Sequence, residues 1–256
     1  MVEQFSYTVK GAGPGIVLAH GGGGGSEANF GPLMADLAAT HTVVAPDLPG
    51  SGATPRSTVP LELDAVADAL VATADAAGVG RFTVLGYSLG TAVAVRAATR
   101  HPDRVRGLVL TAGFAHPDNR IRLAVRVWRA LLEGDRETLA RFLLTVAHGT
   151  PALEAMGPDE LERAVADLAA SVPEGSPEQV DLVASVDTRA DLAGISVPTL
   201  VVAATLDRLA GPALSREMAA GIPGAELVEV ESGHLVAAEA PEAWRAAVRA
   251  FLDRHS

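Results

Sequence analysis

The stretch from Arg81 to Thr99, R-F-T-V-L-G-Y-S-L-G-T-A-V-A-V-R-A-A-T, constrains the fold of this chain more than any other. It opens with an apolar, β-branched run, Phe82 to Leu85, that reads as a short buried strand. It then crosses Gly86-Tyr87-Ser88-Leu89-Gly90 and enters an Ala-rich segment that reads as a helix. A strand turning this sharply into a helix holds its middle residue in a cramped backbone conformation. Glycines two before and two after Ser88 remove the Cβ atoms that would collide there. The hydroxyl is held clear of the backbone, beside a helix N-terminus whose unpaired N–H groups favour developing negative charge. This is the context in which G-x-S-x-G presents a nucleophilic serine. A glycine-bordered turn with an incidental serine is the alternative, and the flanking strand and helix weigh against it.

The rest of the chain repeats the same alternation. Phe5 to Lys10 reads as an edge strand, and Ile16 to Ala19 as a buried strand ending at His20. Gly21 through Gly25 then cannot hold a helix or a packed strand. At a strand end, such a run lets backbone N–H groups approach a ligand closely. Helices are expected over Asn29–Ala39 and Pro60–Ala77, the latter with Leu61, Val66, Leu70 and Val71 on its apolar face. Strands are expected at Thr42–Ala45 and Leu108–Leu110. Strands alternating with helices imply an α/β fold, a mostly parallel, doubly wound sheet covered on both faces.

From Phe114 to about Val186 the alternation stops. Four helical patterns, Arg120–Glu133, Arg136–His148, Asp159–Ala170 and Pro177–Val186, follow one another, separated by Gly149-Thr150-Pro151, Gly157-Pro158 and Pro173-Glu174-Gly175. In the first, Arg122, Arg126, Arg129 and Glu133 form a polar stripe opposite Val127, Trp128, Leu131 and Leu132. These segments are expected to form a helical cap, 114–186, inserted into a core made of 1–113 and 187–256. The α/β pattern resumes with a strand at Thr199–Ala204, a helix at Pro212–Ala220, a strand at Glu226–Glu231 and a terminal helix at Pro241–Leu252.

Composition narrows the partners. The formal charge of −11 argues against nucleic acid or an anionic membrane, whose phosphates would repel the chain. No apolar run approaches the roughly 18 residues needed to span a bilayer. There is no cysteine, hence no thiolate nucleophile or thiolate metal site, and Lys10 is the one lysine. The N-terminal stretch lacks a charged-then-apolar leader pattern, so a cytoplasmic location is expected. No feature sets an oligomeric state, and no His/Asp/Glu spacing suggests a metal. A nucleotide site fits poorly: no G-x-x-x-x-G-K-[ST] is present, and Asp47, about where a ribose-binding acid would lie, belongs to a D-L-P-G-S-G turn.

In an open parallel sheet, ligands bind beyond the carboxyl ends of the strands. Four features fall there: His20-Gly21-Gly22, Ser88, Asp207 and His234. A serine needs a base to attack a carbonyl, and a histidine base needs a carboxylate to fix its tautomer. The order Ser…Asp…His is the one this turn calls for. Asp118, past the preceding strand, is a fallback for the acid. Among the other histidines, His20 is expected to shape the glycine loop and His41, His101 and His255 to sit at element edges. His116 and His148 lie in or beside the cap, within reach of substrate, although a surface or core role is the simpler expectation.

His20-Gly21-Gly22-Gly23, Asp47-Leu48-Pro49-Gly50-Ser51-Gly52, Gly86-Tyr87-Ser88-Leu89-Gly90, Asp207-Arg208-Leu209 and Gly233-His234 together resemble the α/β-hydrolase fold superfamily, in its capped, serine-nucleophile form, over essentially the whole chain. The resemblance implies Ser88 as nucleophile, His234 as general base and acid, and Asp207 as its orienting partner. It implies an oxyanion hole from the backbone N–H groups of Leu89 and Gly22, with Gly21 as the alternative to the latter. Ser88 in place of aspartate sets the chain apart from dehalogenases and epoxide hydrolases, which attack through a carboxylate. Thr91 stands where many relatives carry glycine, so the helix is expected to pack differently there. The implied activity is cofactor-free hydrolysis of a small-to-medium apolar ester, lactone or thioester through an acyl-enzyme. Carbon–carbon bond hydrolases, cofactor-free perhydrolases (haloperoxidases) and biosynthetic cyclases or lyases share the three residues. A ligand-binding protein without turnover is an alternative of a different class.

Overall fold

The structure, a computed structural model, describes residues 5–255, so the first four residues of the leader reading lie outside it. Among the described residues, β1 (Tyr7–Lys10), β2 (Gly15–Ala19), β3 (Thr42–Pro46), β4 (Phe82–Tyr87), β5 (Val105–Thr111), β6 (Thr199–Ala204) and β7 (Glu226–Val230) form one sheet in the order β1-β3-β2-β4-β5-β6-β7. β1 runs antiparallel to β3 at the edge, and every other pair is parallel.

Side chains of the central strands pack on both faces, which is why these strands read as unbroken apolar runs. Val17, Val84, Leu108 and Val201 face α2 (Leu63–Ala76) and α3 (Leu89–Arg100). Ile16, Leu18, Leu85, Val109 and Val202 face α1 (Ser26–Leu37) and α12 (Pro241–His255). The doubly wound α/β expectation holds. This layering follows from period-two burial on both sides of one sheet.

Between β5 and β6 the chain forms α4 (Asn119–Leu131), α5 (Arg136–Ala147), α6 (Thr150–Ala155), α7 (Pro158–Ser171) and α8 (Ser176–Ser185). Five helices stand where four were expected. Gly149-Thr150-Pro151 is no separator, because a proline in a helix's first turn lacks only an N–H that has no intrahelical partner anyway. On α4 the buried residues are Ile121, Val125 and Trp128, whereas Val127 is 45% exposed and Leu123 63% exposed. Neighbours in a helix point about 100° apart, so Val127 could not share the centre of the face with Trp128. Three short or shifted elements complete the chain: α9 (Arg189–Leu192), α10 (Pro212–Gly221) and α11 (Val236–Glu239).

Helix α1 begins at Ser26, three residues before the expected Asn29. Its start is set from outside the segment: the Ser26 N–H donates to Asp47 Oδ1 at 2.8 Å, and Ser26 Oγ donates to the Pro46 carbonyl at 2.6 Å. Helix α2 begins at Leu63, after an extended Glu62, rather than at Pro60. No helix among the described residues is long and apolar enough to cross a membrane.

Candidate active site

Ser88 lies between β4 and α3 with φ 52° and ψ −119°, a conformation that costs an L-residue of order 1–3 kcal/mol. It is held there by the sheet: its N–H donates to the Thr111 carbonyl at 3.0 Å, and its carbonyl accepts from the Thr91 N–H at 2.9 Å. Thr91 Oγ also donates to that carbonyl, at 2.6 Å. The space a threonine needs here is left by Gly113, where an added Cβ would fall 2.5 Å from the Thr91 side chain. The departure at Thr91 is therefore accommodated by a small residue opposite.

The three residues at separate strand ends converge. His234 Nε2 lies 2.9 Å from Ser88 Oγ, and His234 Nδ1 lies 2.6 Å from Asp207 Oδ2. With the proton on Nδ1, His234 donates to Asp207 and accepts from the serine hydroxyl. Asp207 is buried, and its other oxygen accepts from the Leu209 and Ala210 N–H groups at 2.8 and 2.9 Å. These bonds fix the orientation of the carboxylate toward His234. The turn carrying it is fixed to the strand before His234, through Thr205 N–H to Val230 O and Leu206 N–H to Ser232 O, both 2.9 Å. Asp118 is not part of this group. It caps α4, accepting from the Ile121 N–H at 2.8 Å.

The loop of His234 is clamped by a residue of the serine turn. The Tyr87 hydroxyl donates to the His234 carbonyl and accepts from the Val236 N–H at 2.8 Å. Burial pushes the phenol far above its usual range, so it stays protonated and able to donate. Tyr87→Phe leaves one buried carbonyl and one buried N–H without a partner, at about 1–3 kcal/mol each. The expected result is a lower unfolding midpoint together with a roughly tenfold lower kcat, read by calorimetry and steady-state kinetics; a drop in stability alone would show that the clamp does not position His234.

The glycine loop lies over the serine turn. Of its first three N–H groups, two are committed: Gly21 donates to Asn29 Oδ1 at 2.7 Å and Gly23 to Gln179 Oε1 at 2.8 Å. Gly22 lies between them, and no acceptor among the described residues takes its N–H. Leu89 is the first residue of α3, where a backbone N–H has no intrahelical acceptor. Gly22, not Gly21, thus has an N–H left to offer. His20 shapes this loop as expected. Its Nδ1 bonds the Gly21 carbonyl and its Nε2 accepts from the Leu48 N–H, both at 2.8 Å. Burial holds its pKa below the ordinary imidazole value, outweighing the opposite pull of the Gly21 carbonyl and Asp47.

Neither the Asn29 bond to Gly21 nor the Gln179 bond to Gly23 was legible in the sequence, where Asn29 reads as the start of a helix and Gln179 carries no signal. Gln179 is fully buried and also donates to Pro49 O and Ser51 Oγ, tying α8 to two loops of the sheet. Nothing in an isolated chain marks a glutamine within a helix for that task. Ser88 and His234 open onto a cavity of about 410 Å³ to whose wall the helices between β5 and β6 contribute Ile121, Val125, Trp128, Leu143, Leu144 and Val183. His148 also lines it, whereas His116 Nε2 lies 3.4 Å from Glu217 Oε1 at a partly exposed site. No group of three or more His, Asp or Glu side chains among the described residues could hold a metal ion.

Comparison with known proteins agrees with this architecture. A sequence model of the alpha/beta hydrolase fold matches residues 14–241. The chain is 36% identical to pyrrolizixenacetamide deacetylase of Xenorhabdus hominickii, across 97% of this chain and 94% of that protein. It is 32% identical to pimeloyl-[acyl-carrier protein] methyl ester esterase of Neisseria meningitidis, over 93% of each. The crystal structure of a hydrolase from Pseudomonas aeruginosa superposes with a TM-score of 0.85 at 30% identity, covering 96% of this chain and 93% of that one. The chain belongs to the α/β-hydrolase fold family. Within it, the chain is a hydrolase of the esterase type.

Proposed function

We propose that this enzyme cleaves a small-to-medium, largely apolar carboxylic ester, lactone or thioester through an acyl-enzyme on Ser88. In this reading His234 takes the Ser88 proton and returns it to the leaving group, and Asp207 holds the imidazole in the required tautomer. The N–H groups of Gly22 and Leu89 receive the carbonyl oxygen as it gains charge, each donor being worth about 3 kcal/mol of transition-state stabilisation. Residues 114–186 act as a cap on a core formed by 1–113 and 187–256, and supply the apolar wall that excludes water. The observation that carries the reading is the Ser88–His234–Asp207 relay at 2.9 and 2.6 Å, open to an apolar cavity on one side.

The test is direct. A fluorophosphonate is expected to add one phosphonyl group per chain, on the peptide containing Ser88, as p-nitrophenyl butanoate turnover falls in proportion. Turnover that continues after full labelling, or a label on another residue, would sink the assignment. A second reading, hydrolysis of an amide, is favoured by the relative named a deacetylase of an acetamide. Matched esters and amides of one acyl group, compared by kcat/KM, separate the two.

A further inference from the structure

One polar side chain on the cavity wall has no task in the mechanism above. His148 ends α5, is 7% exposed and lines the cavity. Its Nδ1 is buried without a hydrogen-bond partner, and no group among the described residues bonds its Nε2. Buried polar atoms are nearly always paired, and Nε2, unpaired but not sealed, keeps the accessible surface at which a ligand in the cavity would pair with it. The two nitrogens differ: Nδ1 is sealed in the wall, and the rest of the ring's polar edge is what the cavity can reach. A sealed bare nitrogen costs less than a sealed N–H. The proton therefore belongs on Nε2, as a donor to whatever enters.

His148 shares a wall with His234. The His234 N–H donates to the Ala147 carbonyl at 2.7 Å, and an added Cβ on Gly233 would lie 2.6 Å from the His148 carbonyl carbon. Glu239 fastens this seam, accepting from Gly149 N–H at 3.2 Å and Gly233 N–H at 2.8 Å. In acylation the Ser88 oxygen bonds to the carbonyl carbon and the carbon–oxygen bond to the leaving alcohol breaks. The proton His234 took from Ser88 passes to the departing oxygen. That oxygen must lie within reach of His234 Nε2, so the alcohol portion extends along the wall His148 shares. Trp128, the other cavity residue among those described with a buried unpartnered nitrogen, lies over Gly23 on the glycine-loop side.

We propose that His148 is a specificity-determining residue of the leaving-group pocket, and that the preferred substrates carry a hydrogen-bond acceptor, an ether or carbonyl oxygen, a few bonds beyond the departing oxygen. The proposal rests on the ester-hydrolase reading and narrows it. It selects among alcohols, leaving the acyl chain to the apolar wall.

The experiment compares 2-methoxyethyl butanoate with n-butyl butanoate, equal in heavy atoms and different by one ether oxygen. A second pair, n-butyl 3-methoxypropanoate and n-butyl pentanoate, puts the same change in the acyl chain. In His148→Phe the methoxyethyl-to-butyl ratio of kcat/KM is expected to fall about fivefold, the worth of one net hydrogen bond. His148→Gln, which can place an N–H near the same point, is expected to restore most of it. The acyl-chain ratio stays within about twofold throughout. If His148→Phe does not fold, His148→Leu makes the same comparison. A leaving-group ratio that does not move, or an acyl-chain ratio that moves instead, overturns the proposal while leaving the hydrolase reading intact. Failure of the unaltered enzyme to turn over either ester, with Ser88 unlabelled by fluorophosphonate, overturns both.

Discussion

Ser88→Ala is expected to lower kcat/KM for p-nitrophenyl butanoate by at least about 10⁴-fold, near 5.5 kcal/mol of lost transition-state stabilisation. The size follows from what remains. His234 Nε2 would keep its place but have no hydroxyl within 2.9 Å to deprotonate. Water entering in its stead would be unoriented and weaker as a nucleophile. In the proposed mechanism the N–H groups of Gly22 and Leu89 would still polarise a bound ester, so a residual rate above the uncatalysed one is expected. Folding should hardly change, because among the described residues the Ser88 side chain bonds only His234, and alanine meets the same positive φ. Circular dichroism and an unfolding midpoint close to that of the parent are the controls. Turnover or phosphonate labelling at the parental level would remove Ser88 from the mechanism.

The fold and the three-residue relay were legible because both are written in local signals. Ile16–Ala19, Phe82–Leu85 and Thr199–Ala204 are apolar without interruption, as a strand buried on both faces must be. Each strand end carries a residue type with a chemical reason to be there. What stayed illegible depends on partners far away in sequence. That the Gly21 N–H is already taken turned on the Asn29 side chain, and the hold on Gly23 turned on Gln179, 156 residues away. The start of α1 turned on Asp47, which no pattern within the helix announces. Asp118 was a different kind of miss, since an Asp directly before a helix is itself a capping signal. His148 was legible as a residue near the cap but not as an unpaired one, because pairing belongs to the assembled wall.

Gly90→Ala is expected to have the largest effect on folding, although it lies inside a helix. Propensity alone predicts a gain of nearly 1 kcal/mol for such a change. Packing reverses the sign. An alanine Cβ at this position would lie 1.8 Å from the Ala19 carbonyl oxygen and 2.9 Å from that of His20. Both neighbours are backbone, so no rotamer change relieves the contact. Either the end of β2 or the first turn of α3 must retreat by more than an ångström. Overpacking in cores costs about 1–3 kcal/mol when side chains can adjust, and more is expected where they cannot. A loss of about 3–5 kcal/mol would lower the unfolding midpoint of a chain this size by roughly 10 °C. Activity should fall beyond what the lost stability explains, because β2 ends at Ala19, directly before His20 and the Gly21–Gly22 loop, while α3 begins at Leu89. Gly80→Ala is the control: an added Cβ there meets nothing within 4 Å, so its midpoint should stay near the parent's. Equal midpoints for the two variants would show that the approach of β2 to α3 is looser than these distances require. A fall confined to Gly90→Ala would show that the glycine after the serine is there to let a helix start against a strand's last carbonyl.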